Sequence, residues 1–144
     1  MAIRAQQNAV DVMDDAAVAY LGINRTDARC VDILDQRGPM TAGELASAAA
    51  LSTGAITAVL DRMERTGFAR RVADPHDRRK VVVELTEEAR RRSWEIYGPI
   101  AEQGFAELSQ LTDRQLKFVR DIMNRATGFL TEYAAKVRDM APGR

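Results

Sequence analysis

At Gly67 the spacing of the apolar residues changes, and that change limits what the chain can fold into. Before it, Ile56, Val59, Leu60 and Met63 recur at i, i+3, i+4 and i+7, which is one buried stripe on a helix. After it, 69–72 and 80–85 read as two short strands, with the polar run Ala73-Asp74-Pro75-His76-Asp77-Arg78-Arg79 as the tip of a hairpin. Gly67 itself suits a left-handed position that closes the helix.

The flanks are helical. Ile3, Val10, Met13, Ala17, Tyr20 and Leu21 predict a helix from residue 3 to about 20, stopped by Gly22. Thr26 is the expected cap of a second helix that buries Cys30, Val31 and Leu34 and ends before Gly38-Pro39. Thr41 and Glu44 have capping-box spacing and open a short helix with Leu45 inward. Leu51-Ser52-Thr53-Gly54 reads as a turn before the striped helix. Beyond the hairpin, Thr86 with Glu87 and Glu88 opens a long helix that Gly98-Pro99 is expected to kink. Thr112 and Gln115 form a second capping box, followed by Leu116, Val119, Met123, Ala126, Leu130, Tyr133, Val137 and Met140 at threes and fours. A stripe of that length needs something to cover it.

The fold class expected is therefore mainly α with a small β-hairpin, in 144 residues that make a single domain. Such a length buries about 70% of the unfolded chain's surface without needing disulfides or a metal. One cysteine and one histidine leave too few ligands for a zinc site, so no metal and no cofactor is expected. The sequence shows neither a run of roughly 20 apolar residues nor the blocks of a signal peptide, and the expected compartment is a reducing cytoplasm without membrane contact. Lysine plus arginine equals aspartate plus glutamate at 21 each, yet the charge is unevenly spread. Residues 62–80 hold seven basic side chains against three acidic ones, a local surface for an anion within a neutral protein.

Helix, helix, turn, helix and basic-tipped hairpin, in that order between residues 26 and 85, spell a winged helix-turn-helix. The second helix of such a motif presents its first turns to base edges in the major groove, which demands small or polar residues. Ser52, Thr53, Gly54, Ala55, Thr57 and Ala58 meet that demand, and Arg62, two turns in and off the stripe, is placed to reach a base or the backbone. Ser52 or Thr53 also caps the helix, with or without a DNA contact. Arg78 and Arg79 at the hairpin tip suit a narrow minor groove, whose negative potential attracts a guanidinium; the alternative is a merely solvated strand pair.

The runs Leu60-Asp61-Arg62-Met63-Glu64-Arg65-Thr66-Gly67-Phe68-Ala69-Arg70-Arg71, Asp74-Pro75-His76-Asp77-Arg78-Arg79 and Val83-Glu84-Leu85-Thr86 resemble the hallmark of the MarR transcriptional regulators. Upstream, 38–46 is similar to the segment that leads into the helix-turn-helix of that family. The resemblance implies a homodimeric winged-helix regulator, usually a repressor, that binds a short palindrome in double-stranded DNA and is released by a small-molecule effector or an oxidant. It places a DNA-binding lobe at 26–92, with the recognition helix at 52–66 and the wing at 69–85. Helices at 1–24 and 98–144 form its dimerisation region. Asp77 resembles the family acid that orients the wing arginine, and Arg79 resembles that arginine, with Arg78 as a second candidate. Many members have a longer polar residue at Ala58, so base specificity here rests on Thr53, Thr57, Arg62 and thymine-methyl contact from Ala55 or Ala58.

The effector pocket of the family implies Met13, Tyr20, Ala28, Trp94 and Tyr97 as lining residues, each of which also reads as ordinary core. Cys30, without a second cysteine to resolve it, reads as a small buried hydrophobe rather than an oxidant sensor, and His76 as an exposed loop residue. The competing function is a winged-helix scaffold for a protein partner, which has no need of arginines at a protruding tip. No nucleophile elbow, phosphate loop or paired ligands are visible, so an enzyme is not expected.

Overall fold

The computed structural model describes residues 1–140. Among them are six helices and one hairpin: α1 (Ala2–Leu21), α2 (Arg25–Arg37), α3 (Ala42–Ala48), α4 (Thr53–Arg65), β1 (Ala69–Ala73), β2 (Val81–Leu85), α5 (Glu87–Leu108) and α6 (Asp113–Asp139). The chain is mainly α with one two-stranded antiparallel hairpin, as its periodicity predicts. No single helix among the described residues is long and apolar enough to cross a membrane.

Local chemistry sets most of the boundaries. Gly22 closes α1 at φ 69°, and Gly67 stands at φ 75° just beyond α4, left-handed conformations that a side chain disfavours. Both capping boxes form: the Thr41 hydroxyl accepts from the Glu44 amide at 3.3 Å while the Glu44 carboxylate accepts from the Thr41 amide at 2.8 Å, and Thr112 with Gln115 repeats the arrangement.

Two expectations need correction. Asn24, not Thr26, caps α2: its extended backbone turns the side-chain oxygen onto the Asp27 amide at 2.9 Å, and Thr26 falls inside the helix. Thr53 and Gly54 belong to the first turn of α4 rather than to the preceding turn, because the Ser52 hydroxyl accepts from the Ala55 amide and starts the helix there. Pro99, where a kink is expected, lies inside α5, which continues as helix to Leu108.

Two compact units divide the chain, Met1–Gly98 and Pro99 onward. The core of the first is built on the α4 stripe: Ile56, Val59, Leu60 and Met63 are buried with Cys30 and Leu34 of α2, Leu45 of α3, Phe68, and Val83 and Leu85 of β2. The strands pair from Ala69 with Leu85 to Ala73 with Val81, and Met40 adds one rung through bonds of 3.2 and 2.8 Å with Val83. Arg92 of α5 lies 5.1 Å over the Phe68 ring and donates to the Leu21 carbonyl at 3.1 Å, tying the end of α1 to the root of the hairpin. In the second unit, α6 buries no residue: Val119, Met123, Leu130, Tyr133 and Val137 are exposed, as is Met140 just past its end.

Thr86 joins the hairpin to α5, since its hydroxyl donates to the Gly67 carbonyl at 2.5 Å and accepts from the Ala89 amide at 3.1 Å. Thr86→Ala is expected to destabilise the fold by about 1 kcal/mol, the usual loss for a cap, as measured by chemical denaturation.

Candidate nucleic-acid interface

The α4 stripe faces the core, so the opposite face of the helix is turned outward. There Ser52, Thr53, Gly54, Thr57 and Ala58 are exposed and Ala55 is half-buried. These side chains are short, which lets a helix backbone approach base edges closely. The Thr57 hydroxyl donates back to the Thr53 carbonyl at 3.0 Å, which leaves its lone pairs free to accept and fixes its methyl group.

Arginines in the basic stretch divide into two groups. Three are occupied inside the protein: Arg62 with Asp27, Arg70 with Glu84, and Arg71 with both Asp61 and Glu64. Arg71 thereby straps β1 to α4. At the hairpin tip Arg79 is 92% exposed, and one carboxylate oxygen of Asp77 accepts from both its backbone amide at 3.2 Å and its Nε at 3.3 Å. Asp77 thus aims Arg79 while leaving the far edge of its guanidinium unpaired. Arg65, Arg78 and Lys80 form no ion pair among the described residues. The positive surface is consequently narrower than the count of basic residues suggests, and it centres on the tip.

Arg62 departs from the expected geometry. Its guanidinium faces α2, with Nη2 2.6 Å from one Asp27 oxygen and Nε 3.2 Å from the other. Asp27 is 3% exposed and is the one charged residue in the core of the described chain. Sequence reasoning passes over it, although the signal is there: an acid three residues before Cys30 and seven before Leu34 is in phase with the buried stripe of α2.

Of the suggested pocket residues, Tyr20, Trp94 and Tyr97 are exposed rather than core. The Tyr20 hydroxyl donates to Glu95 at 3.4 Å, beside Trp94, and the Trp94 indole lies across Gly98, where a Cβ would meet it at 2.9 Å. Partial burial, and after it the Asp14 carboxylate, raises the pKa of Tyr97 above the ordinary value. Met13 and Ala28 are half-buried. A cavity of about 470 Å³ lies elsewhere, in the second unit, between the end of α5 and the start of α6, lined by Leu108, Leu116, Val119 and the polar Asp113, Lys117 and Arg120.

Cys30 is fully buried, and burial, with the Asp27 charge second, pushes its thiol up to about 11. It is a packed thiol, not a nucleophile.

A short helix, a turn, a second helix with a shallow outer face and an arginine-tipped hairpin define a winged helix-turn-helix protein. Known proteins agree with that class. The family model described as MarR family matches residues 23–81. An uncharacterized HTH-type transcriptional regulator of Bacillus subtilis (strain 168), YcgE, is 33% identical over 123 residues, spanning 85% of this chain and 80% of its own. Among solved structures, a mutant of MepR from a multidrug-resistant S. aureus clinical isolate has a TM-score of 0.71 at 16% identity, covering 89% of this chain and 94% of its own. NadR in complex with 4-hydroxyphenylacetate has a TM-score of 0.63 at 22% identity, covering 86% of this chain and 87% of its own. These two structures share the fold. The chain belongs to the MarR family of DNA-binding transcriptional regulators.

Because its folded-state value is raised, Cys30 contributes stability that is complete below the ordinary thiol pKa of 9.0 and is lost as pH climbs toward about 11. The thiol is therefore expected to resist a disulfide reagent at pH 8 in the folded protein and to react at once in denaturant. Fast labelling of native protein would overturn that assignment.

Proposed function

We propose that the chain is a homodimeric, effector-responsive repressor that binds a short palindromic operator in the cytoplasm. The observation that carries this reading is Arg79, nearly free in solvent yet aimed by Asp77, at the tip of a hairpin that Arg71 straps to α4. A guanidinium held on a protruding tip beside a helix of short outward side chains suits a minor groove flanking the major groove that α4 enters.

In this reading Ser52 caps α4 and offers the helix N-terminus to a phosphate. Thr53 and Thr57 present hydroxyls to base edges, and Ala55 and Ala58 meet thymine methyl groups. Arg78 and Arg79 enter the minor groove, oriented by Asp77. Arg62 supports the interface through its pair with Asp27.

Support for the dimer comes from α6. Its apolar stripe, exposed from Val119 onward in the single chain, would be covered by a second copy, and the exposed Ile3, Val10 and Val12 of α1 call for cover as well. A two-fold dimer presents two recognition helices about one DNA turn apart and so reads paired half-sites. Tyr20, Trp94 and Tyr97, with Met13 and Ala28, are the proposed lining of an effector site; the NadR structure was solved with a small aromatic acid, which supports a ligand of that size.

Selection of bound duplexes from a random pool is expected to enrich a palindrome, and a pool without enrichment would overturn the reading. Arg79→Ala should weaken binding to that sequence and flatten the dependence of log K on log salt by about 0.9 for each phosphate that is no longer neutralised, with the melting profile unchanged. A charge at the stripe, Val119→Glu or Leu130→Lys, should yield monomers in sedimentation and lose operator binding with them.

A further inference from the structure

We infer that Asp27 sets the specificity of DNA reading by holding Arg62 off the duplex. This inference rests on the assignment of α4 as the recognition helix and adds a residue from α2 to its control.

Arg62 lies four residues after Ala58 and seven after Ala55, on the same flank of α4. Side chains on a helix lean toward its N-terminus, so a free arginine at this position would sweep back over Ala58, across the surface proposed to enter the groove. There it would bring a mobile positive charge within reach of any phosphate, whatever the sequence. In the structure it does neither. Both Asp27 oxygens accept from it, at 2.6 and 3.2 Å, and Ala58 remains exposed.

The grip is strong because the acid is buried and the arginine is not. The Asp27 side chain is 5% exposed and that of Arg62 is 36% exposed. A phosphate that drew Arg62 outward would leave a carboxylate unpaired in the core, which is a far larger cost than parting two solvated charges. Other acids close by offer no substitute: Asp61 and Glu64 of α4 are taken by Arg71. Asp27 also stands in the first turn of α2, where the helix dipole favours its negative charge. Contact by Thr53, Thr57 and the alanines is thus kept short-range, and short-range contact is what distinguishes one base pair from another.

The test compares wild type with Asp27→Asn, which keeps the shape of the side chain and removes its charge. Binding to the selected operator and to a non-operator duplex of equal length is measured across a series of KCl concentrations. With Arg62 released, non-operator binding is expected to strengthen, its salt slope to steepen by about 0.9 per arginine that reaches a phosphate, and the operator preference to fall. The double variant Asp27→Asn with Arg62→Gln should return the slope to the wild-type value, which a purely structural role for Asp27 would not do. Unchanged slope and preference in a cooperatively melting Asp27→Asn protein would overturn the inference. So would a shallower slope in Arg62→Gln alone, a measurement that decides the matter even where Asp27→Asn fails to fold. Failure to select any operator counts against the regulator reading, and the slopes on the non-operator duplex still decide the role of Asp27.

Discussion

The burial of one side of α4 is the constraint on which the molecule depends. Ile56, Val59, Leu60 and Met63 can be removed from water only by α2, α3 and the hairpin together, and once they are, the rotation of the helix about its own axis is settled. The outward face is then not chosen independently. A stripe at threes and fours leaves Thr53, Gly54, Thr57 and Ala58 on the other side by geometry alone, so the packing that stabilises the lobe is also what presents the residues assigned to the DNA.

Charge is arranged around that helix with the same economy. Counted along the sequence, 62–80 looks like a broad cationic band. In three dimensions its middle is neutralised by Asp27, Asp61, Glu64 and Glu84, and what stays open is concentrated at the hairpin tip and the end of α4. Counting charges finds the neighbourhood of an anion-binding surface, but pairing decides its shape.

What can be read from the sequence is what local chemistry decides. Capping boxes at Thr41 and Thr112, the glycine stops at 22, 38 and 67, and the switch from helical to alternating spacing each involve residues within a few positions of one another, and the structure contains them all. Thr26 is a capping residue by type, but so is Asn24, and the extended backbone at Asn24 is what makes it the cap of α2. The Asp27–Arg62 pair joins residues 35 apart, a distance over which spacing carries no information; only the misfit of an acid within an apolar stripe hints at it. The exposed flank of α6 is legible as a stripe, while what covers it cannot be read from one chain.

Arg71 has a further consequence. By holding Asp61 and Glu64 from the first strand, it joins hairpin and α4 into one piece, with Phe68 buried at the root of the hairpin and Arg92 laid over its ring. Within such a piece, bending strand against helix would part the Arg71 ion pairs. In the proposed dimer the quantity left to adjust is the span between two such pieces, and DNA is an unforgiving ruler: its grooves recur at a fixed interval, so a small change of span puts one lobe in register only by taking the other out. The proposed dimer would then work as a pair of callipers, releasing its site through a mismatch of length while both jaws keep their shape.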